Sequence, residues 1–156
     1  MKLLILFISF LLVLLTDVNG QINRQLTGRN PNSRFSAVID NDNWVGECYL
    51  CFLEDNECIY FYPNYKYHHI AIFLDFNGVG EYAINDSTAA LVKADAVDIL
   101  MGIYYSNGNP ENKIIITNYD EKNEFVEGHF QFSYNYNSKV VNCKSNYFKA
   151  YFYRNK

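Results

Sequence analysis

Charged residues are scarce in this chain. They make up 19% of its 156 residues, below the ~25% common in globular proteins. Thirteen Lys and Arg are outnumbered by seventeen Asp and Glu, for a formal net charge of −4. With no basic excess to neutralise phosphates, a generic nucleic-acid binder is excluded. The low hydrophobicity of a disordered chain is also missing, since 49% of residues are hydrophobic and 17% aromatic. Signatures of familiar catalysis are absent too. There is no G-x-S-x-G elbow, and the three histidines have no Ser or Cys partner in a known arrangement. No Gly-rich phosphate cradle leads from a strand into a helix. Paired carboxylates could converge from any of the acids, but most of these sit in predicted loops. The expectation is therefore a non-enzymatic protein, with a secreted hydrolase as a distant alternative.

Long apolar runs are missing beyond the first fifteen residues. Nothing later approaches the ~18 residues that a bilayer span requires, so no transmembrane anchor is expected. The one run, Leu3 to Leu15, follows Met1-Lys2 and is broken only by Ser9. Asp17 ends it, and Val18-Asn19-Gly20 supplies a cleavage-type flank. This layout predicts a secretory signal peptide over residues 1–20. Residues 21–33 are polar, hold Gly28 and Pro31, and read as a flexible lead-in. The remaining 34–156 make one domain by length.

Export implies oxidising surroundings, and four cysteines there are most simply two disulfides. Of the three connectivities, spacing favours a local Cys51–Cys58 bridge and a long Cys48–Cys143 bridge. Closing a loop of ~90 residues removes several kcal/mol of unfolded-state entropy in the loop-closure account. Cys48-x-x-Cys51 also has zinc-knuckle spacing, with His68-His69 downstream. A second CxxC or HxxxH half is absent, so neither metal nor other cofactor is expected.

From Arg34 the pattern is β throughout. Phe35 to Ile39 stops at the turn cluster Asp40-Asn41-Asp42-Asn43. Trp44 to Leu53 and Cys58 to Tyr62 flank a four-residue loop, Glu54 to Glu57. His68 to Phe76 alternates, with Ile70, Ile72, Leu74 and Phe76 on one face, which predicts a strand with one strongly buried face. Asp86 to Ile99 is ambiguous between a short helix capped by Ser87 and a strand. Leu100 to Tyr105, Lys113 to Tyr119, Phe125 to Tyr134, Val140 to Cys143 and Asn146 to Tyr153 complete nine or ten short strands separated by turn signals. Such spacing predicts an antiparallel β-sandwich, with a closed lipocalin-like barrel as the alternative. Against the barrel, Trp44 lacks the preceding Gly-x of the lipocalin motif, and ~120 ordered residues are few for a ligand-holding interior.

The cadence Ile114-Ile115-Ile116-Thr117, Tyr119-Asp120, Gly128-His129-Phe130-Gln131-Phe132, Val140-Val141 and Tyr147-Phe148-x-Ala150-Tyr151 resembles a family of small secreted β domains. That family is of unknown function and abundant among bacterial envelope lipoproteins. Its usual form is x-I-x-I-T-x-x-D … G-T-F-x-F … V-x-I-T-x-G-x-F. Phe35-Ser36-Ala37, Trp44 and Gly80-Glu81-Tyr82-x-Ile84 extend the resemblance over residues 34–153. It implies an all-β fold and an envelope or extracellular location, and it carries over no catalytic residue. This chain departs from the pattern in three ways. No cysteine follows the leader, so no lipid anchor is implied. His129 replaces a small hydroxyl residue. The four cysteines are additions.

Aromatic side chains on a rigid sheet can stack on sugars or anchor a protein partner. Phe52 and Phe61 are expected in the core, while Tyr60, Tyr62, Tyr65 and Tyr67 are expected as an exposed binding surface. The adjacent His68 and His69 point to opposite faces and read as a solvated strand end. His129 reads as surface. Asn85-Asp86-Ser87 is a glycosylation acceptor. These features predict a secreted binding, interaction or matrix component with an extracellular protein or carbohydrate partner. A carrier of small apolar ligands is the alternative.

Overall fold

The computed structural model describes residues 30–53, 56–64, 68–86, 88–96 and 99–153. The predicted signal peptide, most of the lead-in, Tyr65, Tyr67 and Ser87 lie outside these residues. Ten strands follow in order: β1 (Arg34–Ile39), β2 (Asp42–Leu53), β3 (Asn56–Pro63), β4 (His69–Leu74), β5 (Gly80–Ala83), β6 (Ala89–Ala96), β7 (Ile99–Tyr105), β8 (Lys113–Asp120), β9 (Phe125–Tyr136) and β10 (Lys139–Tyr153). The ambiguous stretch after Asp86 is therefore strand. Val140 to Cys143 and Asn146 to Tyr153, read as separate segments, are parts of one fifteen-residue strand.

All ten strands belong to one sheet, in the order β5-β8-β9-β10-β1-β2-β3-β4-β6-β7. A two-sheet sandwich is not established, because the hydrogen-bonded ladder runs unbroken from edge to edge. Period-two alternation tells which side chains face inward. It carries no information on whether the ladder breaks at a corner. Neighbours are antiparallel throughout. One short parallel contact is added where β1 begins: Tyr151–Tyr153 of β10 run past Arg34 and pair directly with Tyr49–Cys51 of β2. Both strands are antiparallel to β1, so they meet in parallel once its place between them is vacant.

Local chemistry sets the turns. Asp40 and Asn41 both have positive φ and join Ile39 to its partner Asp42 in the two-residue hairpin that this backbone favours. Asn137 and Ser138 do the same between Tyr136 and Lys139. At the β8–β9 turn, Asp120 Oδ1 accepts from the Asn123 amide at 2.9 Å, and Glu124 takes the left-handed position. The β2–β3 ladder continues to Leu53 opposite Asn56, so the connection is two residues shorter than the four expected.

The sheet curls strongly. Phe61 of β3 and Phe130 of β9 stand four strands apart, roughly 19 Å on a flat sheet. Their ring centroids are 4.8 Å apart. Phe61 also meets Phe35 and Phe148 edge-on, each at 5.3 Å. These rings fill the centre of one core to which all ten strands contribute buried or packed residues. Two glycines permit the curl. A Cβ on Gly46 would lie 1.9 Å from the Tyr62 carbonyl oxygen, and one on Gly128 would lie 2.1 Å from that of Ile115. The curl brings the end of β7 back to β9, where Ser106 makes an isolated bridge to Tyr134. The sheet is not closed: β5 and β7 remain its edges.

Candidate functional site

The expected aromatic surface lies on the outer face of β3, and the structure divides it. Cys58 and Tyr60 form a small second cluster with Ala71, against which Cys51, Tyr62 and Phe73 pack. Tyr60 is only 8% exposed, so it is a packing residue rather than an open platform. Burial pushes its hydroxyl pKa well up. Tyr62 is half-buried, stacked on Tyr60 at 6.0 Å and tilted against His69 at 5.6 Å. His69 is not at a solvated strand end. It is 9% exposed, its Nε2 has no hydrogen-bond partner among the described residues, and burial lowers its pKa to about 4. The alternation of β4 pointed to one buried face, and both are buried, because this second cluster backs the strand. His129 is half-buried.

The cysteines are placed just as unevenly. The structure contains no disulfide among the described residues. Cys51 and Cys58 are opposite each other in the β2–β3 register. Cys48 Sγ donates to the Lys149 carbonyl at 3.1 Å and the Arg34 carbonyl at 3.3 Å, at the start of β1. Cys143 is paired with Ile39, at the end of β1. The length of β1, about 17 Å, separates the two, whereas a disulfide needs Cα atoms within ~7 Å. The expected Cys48–Cys143 bridge therefore does not fit this fold. Asn85 is exposed, and its carbonyl accepts from the Ser106 hydroxyl.

A polar recess of about 300 Å³ opens elsewhere, lined by Asn109, Glu111, Asn112, Gln131, Phe132, Ser133, Asn142, Cys143 and Lys144. The loop between β7 and β8 forms one wall, and β9 and β10 form the floor. Asparagine chemistry holds the loop in place. Asn107 Oδ1 accepts from the Ser133 hydroxyl at 2.9 Å, the Asn109 amide at 3.2 Å and Asn112 Nδ2 at 3.4 Å. Asn112 Oδ1 accepts from the Ser133 amide at 3.0 Å, and Gln131 Nε2 donates to the Glu111 carbonyl at 2.9 Å. Asn112 and Ser133 are 4% and 2% exposed, so the Asn112–Ser133 bonds at the centre of this network are buried, while Asn109 and Glu111 at its margin are exposed. A satisfied buried network is rigid, and a rigid wall is what binding groups above it require. Sequence reading missed this site. The available signal was the Ser106-Asn107-Gly108-Asn109-Pro110 run, which turn formation alone explained.

Two further clusters are self-contained or smaller. On the outer face of β8 to β10, Glu127 accepts from Asn118 Nδ2 at 3.0 Å and Tyr147 Oη at 3.2 Å and pairs with Lys149 at 3.2 Å. The Asn118 bond, more than the charge of Lys149, lowers the Glu127 pKa. At the end of the curled sheet, Lys93 lies 4.9 Å from the Tyr136 ring centroid and 5.5 Å from that of Tyr104. Nearby, Tyr134 Oη is buried without a hydrogen-bond partner among the described residues. Among those residues no group of three His, Cys, Asp or Glu side chains could hold a metal ion, and no helix is long and apolar enough to cross a membrane.

Residues 31–154 match a family described as a domain of unknown function (DUF6252). No curated protein and no solved structure matches the chain.

Proposed function

We propose that this chain, which belongs to the DUF6252 family of domains of unknown function, is a secreted, non-enzymatic binding module. The recess over β9 and β10 is its binding site, and its ligand is polyhydroxylated, of carbohydrate type. One observation carries the reading. Amide, carboxylate and ammonium side chains from Gln131, Asn142, Glu111 and Lys144 rim a recess of about 300 Å³ beside the buried Asn112–Ser133 hydrogen bond. Amides offer donor and acceptor side by side, which matches the paired donor and acceptor character of neighbouring sugar hydroxyls. Secretion is supported by the leader-like run Leu3 to Leu15 and the residues that follow it. Titration of 15N-labelled protein with neutral oligosaccharides tests the site. Amide shifts are expected to gather on residues 107–109, 111–112, 131–133 and 142–144, and Asn142→Ala should weaken them at unchanged melting temperature. Shifts elsewhere, or none with any oligosaccharide, would overturn the reading.

A second reading, a carrier for a small apolar ligand bearing an acidic group, draws on Lys93 between Tyr104 and Tyr136 at the open end of the sheet. The rings of Phe35, Phe61, Phe130 and Phe148 occupy the centre that such a ligand would need. Native mass spectrometry of protein from its producing cells distinguishes the two, since a carrier retains its cargo.

A further inference from the structure

We infer that Cys51 and Cys58 form a cross-strand disulfide in the exported protein, and that Cys48 and Cys143 remain thiols. Cys51 and Cys58 are direct register partners on adjacent antiparallel strands, and Cys51 packs against Cys58 in the outer-face cluster. The Asn64 amide donates to the Val45 carbonyl at 3.0 Å, so Val45 and Asn64 are a hydrogen-bonded pair. Such pairs recur every second residue along an antiparallel ladder, which makes Cys51 and Cys58 another. Cα atoms in such pairs are ~5.5 Å apart, inside the disulfide range, and their Cβ atoms, at the wide ~5.5 Å end for opposed residues, draw in by about 1 Å as the bond closes. Both side chains project from the same face, because directly opposed residues always do.

The two thiols differ in access. Cys51 is partly exposed, and Cys58 is fully buried. Cys51 thiolate therefore attacks the oxidant, an external disulfide such as oxidised glutathione or a thiol–disulfide oxidoreductase. One sulfur of the oxidant leaves as thiolate, and a mixed disulfide with Cys51 remains. Cys58, deprotonated, then attacks Cys51 Sγ and releases the second sulfur. Two protein protons end on the two released thiolates, and the oxidant disulfide is reduced as the protein dithiol is oxidised. Cys48 and Cys143 cannot follow. Each is fully buried, and β1 holds them apart at its two ends.

The inference is independent of the carbohydrate reading. The full chain is exported through an oxidising compartment, denatured without reductant, alkylated, and cleaved after glutamate, since Glu54 and Glu57 lie between the two cysteines. A second portion of folded protein is first reduced, freed of reductant and exposed to oxidised glutathione. Expected are alkylation at Cys48 and Cys143 alone and a Cys51–Cys58 linked peptide, about 2 Da lighter than its two thiol halves. Cys143→Ser keeps the link, and Cys58→Ser leaves Cys51 open to alkylation. Four alkylated cysteines in both portions, or any link to Cys48 or Cys143, would overturn it.

Discussion

At the residue scale, His69 shows how one side chain can tie stability to pH. Burial holds its folded pKa near 4, below the ordinary value of 6.5, with a smaller contribution from the charge of His68. Above pH 6.5 the ring is neutral in both folded and unfolded chains and costs nothing. As pH falls from 6.5 towards 4, the unfolded chain takes up a proton that the folded chain refuses, so stability is lost across that window. The loss approaches roughly 3 kcal/mol at pH 4, by the worth of each pKa unit. In His69→Gln the slope of unfolding free energy between pH 6.5 and 4 should flatten by that amount in urea titrations. An unchanged slope would show that the ring reaches water. The same residue marks where local reading stops. His68-His69 resembles the polar end of a strand, and only the outer-face cluster of Tyr60 and Tyr62 on neighbouring β3 with Ala71 makes His69 an interior group.

At the scale of elements, the hairpins are the most legible part of the chain. Asp, Asn and Ser at 40, 41, 137 and 138 occupy the positive φ that two-residue hairpins demand, and the Asp40-Asn41-Asp42-Asn43 cluster announced the first of these turns. Ser138, at φ 61°, is the poorest fit of the four, because serine lacks the left-handed preference of asparagine and aspartate. Ser138→Gly should therefore stabilise the protein by about 0.5–1 kcal/mol, read as a higher denaturation midpoint at unchanged m-value. Bulges were not legible. β10 carries an extra residue between Ser145 and Phe148, where the Ser145 hydroxyl donates to the Ser36 carbonyl at 2.7 Å. The sequence there reads as two strands with a break. In fact one strand continues through an irregularity that its neighbours β1 and β9 both accommodate.

At the scale of the whole molecule, the core depends on the curl. Phe61 meets rings from β1, β9 and β10, so one side chain joins both halves of the sheet. Phe61→Ala should cost ~3–5 kcal/mol in equilibrium denaturation, the range for a buried aromatic whose cavity cannot collapse. A cost under ~1 kcal/mol would mean that Phe61 does not tie the two halves of the sheet together. The recess is a property of the same scale. Its wall comes from Asn109, Glu111 and Asn112 and its floor from residues 131–133 and 142–144, which meet because the end of β7 returns to β9 at Ser106 and Tyr134.

Side-chain alternation and turn chemistry are short-range properties, set by pleat geometry and by which residues accept a positive φ. The sequence by itself therefore determined an all-β domain of nine or ten strands, the turn at Asp40-Asn41, and the core place of Phe61, Ile70, Ile72 and Leu74. Pairing across the sheet, its curl, and burial of a second face depend on contacts between residues far apart in the chain. Those contacts decided that one open sheet replaces two, that Tyr60 and His69 are covered, that Cys51 faces Cys58 while Cys48 is out of reach of Cys143, and that a polar recess forms over β9 and β10.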